Sequence, residues 1–504
     1  MGDRQKTQLP PSLGDFLRKS NPWWEGKPAE PVPVFRRAAL RSVKRRLENG
    51  IAPIVALRGP RRVGKTTIQE QVIHELLAEE GFDGKRIFRV QFDEIESEPG
   101  VSIEGITNVI LTLCFWYENN ILGCTFTEAA LDGKRAYIFL DEVQNLHLWS
   151  GQLKALVDHF NVRVLITGSS ALRIEMGRES LAGRIATLDL GTLSLREIAE
   201  LRGHGIIPPL MPDNGIAELM KVEFWKQAVA HGRSHKETRD LAFADFSERG
   251  GYPESLVNFD MPWPEMAEYL NETVVRRVLQ HDMSFDRTLG PLDHRQLEEV
   301  FRLACTYAGQ TPGPTTFVKV ISQALKTNVD AERTLAHLEF LDRSLLLRLV
   351  PSLTTRTRGR KAGPKICLCD HALRASWLQE VVPLVPDELE RHPHLSDIGG
   401  HIAESIVGYY LGSIIGLGLD HYPVRGPSDP EIDFILTIGA MRIPLEVKYR
   451  RTIDPHRDTA GLRAFMKRPI YNATFGILVT MLDDVEIPDP RIVALPLSSL
   501  LLIA

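Results

Sequence analysis

Residues 59–66, Gly59-Pro60-Arg61-Arg62-Val63-Gly64-Lys65-Thr66, have the spacing GxxxxGKT, and Thr67 follows directly. Glycines at these positions let a backbone close around phosphate oxygens. Successive N–H groups then converge on one phosphate at the positive end of the next helix. Lys65 adds a point charge toward the β- and γ-phosphates, and the Thr66 hydroxyl can ligate Mg²⁺. ATP with Mg²⁺ is therefore the expected cofactor pair, cradled by residues 59–67. Ile138-Phe139-Leu140-Asp141-Glu142 offers the second half of that chemistry. Asp141 is expected in the Mg²⁺ shell, and Glu142 is expected to orient or deprotonate the attacking water. The adjacent acids point to hydrolysis rather than phosphate storage. A further run ends Leu165-Ile166-Thr167-Gly168-Ser169-Ser170. Thr167, with Ser169 as the alternative, is placed to sense the γ-phosphate; a helix N-cap is the competing reading. Arg184, in Glu179-Ser180-Leu181-Ala182-Gly183-Arg184, is a candidate arginine finger. Such a cation contributes roughly 10³ to 10⁵ in rate. Whether it serves its own chain or a neighbour's is open, and a homo-oligomer follows from the second case.

A separate constellation lies near the carboxyl end. Glu431-Ile432-Asp433-Phe434 is followed, after a turn at Gly439, by Pro444-Leu445-Glu446-Val447-Lys448. Side chains alternate along a strand, so Glu446 and Lys448 share one face while Leu445 and Val447 share the other. Asp433 on the partner strand completes a cluster, and Glu404, on a helix opening near Gly400, can project toward the same point. Asp433, Glu446 and Glu404 are expected to hold a hard divalent ion, Mg²⁺ or alternatively Mn²⁺. Such an ion polarises a phosphodiester and acidifies a water, while Lys448 steadies the nucleophile or the developing charge. A cross-strand ion pair worth about 0.2–1 kcal/mol is the plainer reading of ExK.

These residues need elements to hold them. PIVALRG, RIFRVQFDE, AYIFLDE and VRVLITGSS read as strands, separated by the helical patterns KTTIQEQVIHELLAEEG, SIEGITNVILTLCFWYENN and LWSGQLKALVDHF. Nearly continuous apolar strands alternating with helices predict a parallel sheet covered on both faces. The carboxylates then emerge at its carboxyl edge, where open α/β sheets bind ligands. FRRAALRSVKRRLENG is helical in pattern and ends at Gly50, and residues 21–34 read as an extended, proline-rich lead-in docked by Trp23 and Trp24. Beyond residue 200 the strand signal fades. Residues 217–290 are mostly helical, broken by Gly250-Gly251-Tyr252-Pro253. Residues 294–350 read as three short helices and a β-wing, and mixed α and β return from about 365.

The segments LRGPRRVGKTT, IFLDEVQ, ITGSSALRI, ESLAGRI and LSLREI resemble those of bacterial and archaeal AAA-type P-loop ATPases paired with a DUF4143 domain. GGYPE, YLNETVVRRVLQHD, VPSLTTRTRGRKAGPKICLCD and LEVKYR extend the likeness over most of the chain from about residue 35. The resemblance implies an α/β fold with a P-loop parallel-sheet core at 35–200 behind the segment 1–34. It further implies a helical lid at 201–290, a winged helix at 291–355 and an α/β restriction-endonuclease-like domain at 356–504. Asp433, Glu446, Lys448 and Glu404 likewise resemble the core of the PD-(D/E)xK nucleases, with Ile432 where a proline commonly precedes the acid.

DNA is the partner expected from two places. In the winged helix, Leu335, Leu338 and Leu341 are expected in the core, leaving Arg333, Thr334 and His337 outward toward a major groove. Between Pro351 and Cys369 stand Arg356, Arg358, Arg360, Lys361 and Lys365 with no acid among them, a loop suited to phosphate contacts. Cys367-x-Cys369 with His371 matches no common zinc spacing and reads as packed thiols. The chain's 504 residues suggest about three domains, and its 43% apolar and 25% charged content is that of a globular protein. A net charge of −5 excludes a whole-molecule basic field, and 5 cysteines are no disulfide scaffold. No stretch reads as a signal peptide or membrane helix, so a cytoplasmic protein with no membrane partner is expected. An ATP-dependent DNA-processing enzyme with a metal-dependent nuclease-like domain is the first expectation. A nucleotide-switched DNA- or protein-binding ATPase with a non-cutting domain is the second, and a protein-remodelling ATPase the third.

Overall fold

In a computed structural model, residues 9–168, 179–211, 215–282, 294–326, 329–353, 363–423 and 431–504 are described. They fall into two compact units, Met1–Leu190 and Gly191–Ala504.

The first unit is built on strands β1 (Ile54–Arg58), β2 (Ile87–Gln91), β3 (Tyr137–Asp141), β4 (Arg163–Gly168) and β5 (Ile185–Asp189). They form one sheet in the order β2-β3-β4-β1-β5 with every neighbouring pair parallel. The apolar runs explain it. Ile54 to Leu57 are fully buried, as are Ile138, Phe139 and Val164 to Ile166 apart from traces, which only a sheet covered on both faces permits. β4 lies between β1 and β3, so the ends of all three converge at one edge. In the amino-terminal segment, Pro11–Ser20 is a helix, opened by proline at its first position, where the missing N–H costs nothing. The tryptophans dock as expected. Trp23 and Trp24 are buried, and both indole N–H groups donate to the Ile87 carbonyl, at 3.2 and 2.7 Å.

In the second unit, helices Val222–Ser234 and Lys236–Arg249 lead into the Gly-Gly-Tyr-Pro turn. That turn is docked, because the Gly251 N–H donates to Asp370 at 2.7 Å and the buried Tyr252 hydroxyl meets the Cys369 sulfur at 3.7 Å. Helices His294–Thr306, Pro314–Leu325 and Ala331–Arg343 precede an antiparallel pair, β6 (Leu347–Val350) and β7 (Lys365–Leu368). A second sheet follows, from β8 (Gly418–Tyr422), β9 (Ile432–Ile438), β10 (Met441–Lys448), β11 (Gly476–Thr480) and β12 (Ile492–Pro496), in the order β12-β11-β10-β9-β8. β9 is antiparallel to both β8 and β10; β10, β11 and β12 are parallel. Phe465, stacked on Tyr471 at 4.2 Å, packs with Tyr422, Ile435 and Leu478 in its core. Helix Ser396–Gly412 crosses close beside β7 and β9: a Cβ on Gly408 would lie 2.3 Å from the Cys367 sulfur and 2.8 Å from the Phe434 ring. That close approach, available to glycine alone, brings Glu404, one turn earlier, against the sheet. No helix among the described residues is long and apolar enough to cross a membrane.

Candidate functional site

The first unit gathers its polar residues at the carboxyl ends of β1, β3 and β4. After Arg58 the chain turns through Gly59 to Gly64 and enters helix Lys65–Leu77, with Gly64 at φ +90° as its N-cap. A Cβ on Gly59 would stand 2.2 Å from the Leu190 carbonyl oxygen. Val63 is buried, and its carbonyl accepts from Arg37 at 2.8 Å, a brace from outside the motif. Lys65 is buried, and its ammonium donates to the carbonyls of Gly59 at 3.0 Å and Pro60 at 2.7 Å, closing the loop on itself. Pro60 is buried, Arg61 and Thr67 are half-buried, and Arg62 is exposed at φ +64°.

Asp141 is the hub. Its carboxylate accepts from the Thr66 hydroxyl at 2.8 Å and, through the other oxygen, from the Thr167 hydroxyl and the Glu142 N–H. Burial raises the Asp141 pKa, and the neighbouring Glu142 charge adds to that; the two threonine hydroxyls oppose it. Thr66 and Asp141 thus form an all-oxygen pair of the kind Mg²⁺ takes, and the residues fit that ion. Glu142 leaves the strand in a left-handed conformation, φ +52°, with its carboxylate accepting from the Gln144 amide. One residue escaped the sequence reading. Asp93 follows β2, next to β3, and its pKa is raised by burial and then by Asp141 and Glu142. The signal was present in RIFRVQFDE, an acid just past the carboxyl end of a strand. Thr167 is positioned as a brace for Asp141, fully buried behind it. Thr167→Val is expected to lower kcat about ten-fold while nucleotide binding holds, since a hydrogen bond to a charged group contributes about 1.5–3 kcal/mol. Thr167→Ser is expected to keep the rate, as steady-state hydrolysis beside nucleotide titration will show. Ser169 lies outside the described residues.

Arg184 sits elsewhere. It precedes β5, whose register pairs Ile185 with Ile54, and the Ile54 N–H donates to its carbonyl. That is the amino edge of the sheet, a strand's length of about 13 Å from the phosphate loop. There its guanidinium pairs with Asp158. At that edge Arg184 stands away from the phosphate loop of its own chain.

In the second unit, the hairpin β9–β10 turns at Gly439 and aligns Leu445 with Phe434. Asp433 accepts from the Val447 N–H at 2.9 Å, and Glu446 pairs with Lys448. Glu404, from helix Ser396–Gly412, reaches the same cleft, a cavity of about 420 Å³. The residue at its centre was not foreseen there. Lys365, expected in a basic loop suited to phosphate contacts, opens β7 and is 4% exposed. Its ammonium stands 2.6 Å from Glu404 and 2.8 Å from Asp433. Burial works against its charge, but Asp433 and Glu404 outweigh it and hold the lysine charged. Burial would raise Asp433, yet Lys365 holds its pKa below the usual carboxylate value. Burial, then Asp433, push Glu446 up to about 8. Of the expected metal set, Glu404 and Asp433 thus share the Lys365 ammonium and Glu446 pairs with Lys448, and no group of three or more His, Cys, Asp or Glu among the described residues is placed to hold a metal ion.

Helix Ala331–Arg343 also departs from expectation. Thr334 and His337 are buried, His337 fully, whereas Leu335 is 42% exposed. The helix is turned so that Thr334, His337, Leu338 and Leu341 face the core, and Arg333 is half-buried. Arg356, Arg358, Arg360 and Lys361 lie outside the described residues. Cys367 and Cys369 are buried, and burial raises the Cys367 thiol to about 12.

Residues 52–199 match a family model described as an AAA domain, and residues 241–381 match one described as a domain of unknown function (DUF8612), where DUF4143 was expected. The chain is similar to the protein MJ1637 of Methanocaldococcus jannaschii, 22% identical over 420 residues, 80% of this chain and 77% of that one. It is also similar to Rv2008c of Mycobacterium tuberculosis, 30% identical over 168 residues, 33% of this chain and 30% of that one. Among solved structures, the Walker-type ATPase PABY2304 of Pyrococcus abyssi is similar at 14% identity with a TM-score of 0.36, over 71% of this chain and 99% of that one.

Proposed function

We propose, from the AAA-type P-loop ATPase core at residues 52–199, that the chain is a Mg²⁺-dependent ATPase whose nucleotide state switches its hold on DNA without cutting it. The observation that carries the hydrolytic half is the Thr66–Asp141–Thr167 cluster at the mouth of the phosphate loop. Residues 59–67 grip the phosphates, Lys65 leaves its carbonyl partners for phosphate oxygens, and Thr66 with Asp141 would hold the ion. Mg²⁺, when bound, draws charge from the β- and γ-phosphates. Glu142 accepts the proton of the attacking water as its oxygen forms the bond to γ-phosphorus, and the bond from γ-phosphorus to the leaving ADP oxygen breaks.

The basic stretch Arg356–Lys361 supports DNA as partner, through phosphate contacts that carry no sequence choice. The filled cation position at Lys365 favours binding over cleavage. The proposal includes a homo-oligomer, since Arg184 meets a γ-phosphate only across an interface between copies. The test is phosphate release by purified full-length protein with Mg²⁺ or EDTA, alone, with DNA and with unfolded polypeptide. Mg²⁺-dependent turnover stimulated by DNA, with salt-sensitive DNA retention and no strand products, is expected. Turnover in EDTA refutes the engine. Stimulation by polypeptide alone transfers the reading to protein remodelling, and DNA products in Mn²⁺ return it to a nuclease.

A further inference from the structure

We propose that Lys365 is the resident cation of the carboxyl-terminal cleft. Its ammonium takes the place of the divalent ion that Glu404, Asp433 and Glu446 would otherwise collect. The wild-type chain then takes up no Mg²⁺ or Mn²⁺ there, and loss of that ammonium uncovers an oxygen-ligand metal site.

Lys365 is held on several sides. Its nitrogen lies 2.6 Å from Glu404 Oε2, 2.8 Å from Asp433 Oδ1 and 4.7 Å from the centre of the Phe434 ring. Carboxylates on two sides and the negative face of an aromatic ring are the surroundings an ammonium seeks. Its backbone is held as well. Lys365 pairs with Val350 across β6 and β7. On the other side, Ile366 donates to Gln310 at 3.0 Å and accepts from Gly309 at 2.7 Å. The strand that carries it is fixed along both edges, and Lys365 is only 4% exposed, so its ammonium is held inside the cleft.

Two of the remaining oxygens are also engaged, while Glu446 Oε2 is buried without a partner. Asp433 Oδ2 accepts from Val447 at 2.9 Å, and Glu446 Oε1 pairs with Lys448. A hard divalent ion needs six or more oxygen ligands. Here it would have to enter beside two ammonium groups of its own sign, and like charges repel strongly where water is excluded. The opposite holds once Lys365 is gone. Four carboxylates, the exposed Glu431 among them, would then line one cleft with a single ammonium, and a charge cluster of that kind either protonates or recruits a cation. The inference is independent of ATP turnover at residues 52–199.

The test is a Mn²⁺ titration of the nucleotide-free full-length chain, followed by the electron paramagnetic resonance signal of free Mn²⁺. Wild type is expected to give the same curve as Asp433→Asn. Lys365→Met, which keeps the length of the stem, is expected to gain one site with a dissociation constant below about 1 mM, the weak end for oxygen-ligand divalent sites. Adding Asp433→Asn to Lys365→Met is expected to abolish it, and Lys365→Arg is expected to bind as wild type does. A Mn²⁺ site in wild type that Asp433→Asn removes overturns the proposal, and that comparison stands even if Lys365→Met does not fold. So does a folded Lys365→Met chain, with wild-type circular dichroism, that gains no site.

Discussion

Glu142→Gln is expected to bind ATP as wild type does and to hydrolyse it about 10²- to 10⁴-fold more slowly, the usual worth of a positioned general base. Glu142 is singled out by its backbone. At φ +52° it steps out of β3 immediately after Asp141, so neighbouring residues of one strand serve two tasks. Asp141 turns inward to the threonine hydroxyls, and Glu142 is half-buried and anchored by Gln144. The amide of glutamine keeps the size and the anchor but cannot take a proton. The expected signature is a lower kcat with an unchanged nucleotide dissociation constant. Lys65→Ala contrasts with it. In the proposed mechanism Lys65 meets phosphates in ground and transition states alike, so its removal is expected to weaken binding and turnover together. Stopped-flow binding of a fluorescent ATP analogue, beside single-turnover phosphate release, separates the two. A Glu142→Gln chain that turns over at the wild-type rate assigns the base elsewhere, with Asp93 next in line by position.

The core sheet was readable because its signals are local and redundant. A glycine-rich loop after an apolar strand, an acid pair after another and a threonine after a third each name the same sheet edge. Open α/β sheets leave few places to put them. Arg184 shows where that reading fails. It closes the turn that leads straight into β5, and nothing in ESLAGRI states at which end of the sheet that turn lies; the parallel pairing of Ile185 with Ile54 decides it. His337 fails for a different reason. Thr334, His337 and Leu338 fit a helical stripe as well as Leu335, Leu338 and Leu341 do, and packing against neighbouring helices selected the first. Lys365 is the instructive case. A charge run suggested a solvated loop, yet Lys365-Ile366-Cys367-Leu368 alternates as a strand does. On that strand Lys365 and Cys367 share the face turned to helix Ser396–Gly412. The partners that make burial of an ammonium tolerable, Glu404 and Asp433, lie 39 and 68 residues away. Only tertiary structure brings them together.

Arg239→Ala is expected to destabilise the second unit by about 3 kcal/mol, the lower end for breaking a buried ion pair. Arg239 is 1% exposed on helix Lys236–Arg249 and joins the carboxyl-terminal residues to that helix. Its guanidinium binds both oxygens of Asp483 at 2.7 Å, Ser499 at 2.8 Å and the neighbouring Asp240 at 2.7 Å. Truncation deprives Asp483 of its bidentate donor and opens a void the size of an arginine stem, so packing is lost along with charge. Arg239→Lys is expected to recover only part of the loss, because an ammonium cannot reproduce the planar fork. The pH dependence has a definite sign. The Arg239 hydrogen bond holds the Asp483 pKa below its ordinary value of 3.8. A carboxylate whose pKa is lowered by folding contributes its full stabilisation above the unfolded value and loses it as pH falls through the folded one. The gap between wild type and Arg239→Ala is therefore widest near neutrality, begins to narrow below about pH 4 and narrows further as pH falls through the lowered Asp483 pKa, leaving the packing part. Calorimetric melts at pH 7 and pH 3.5 measure it, with a shift of about 5 °C expected at the higher pH. A gap that is constant across that range assigns the loss to packing alone and removes the ion pair from the account.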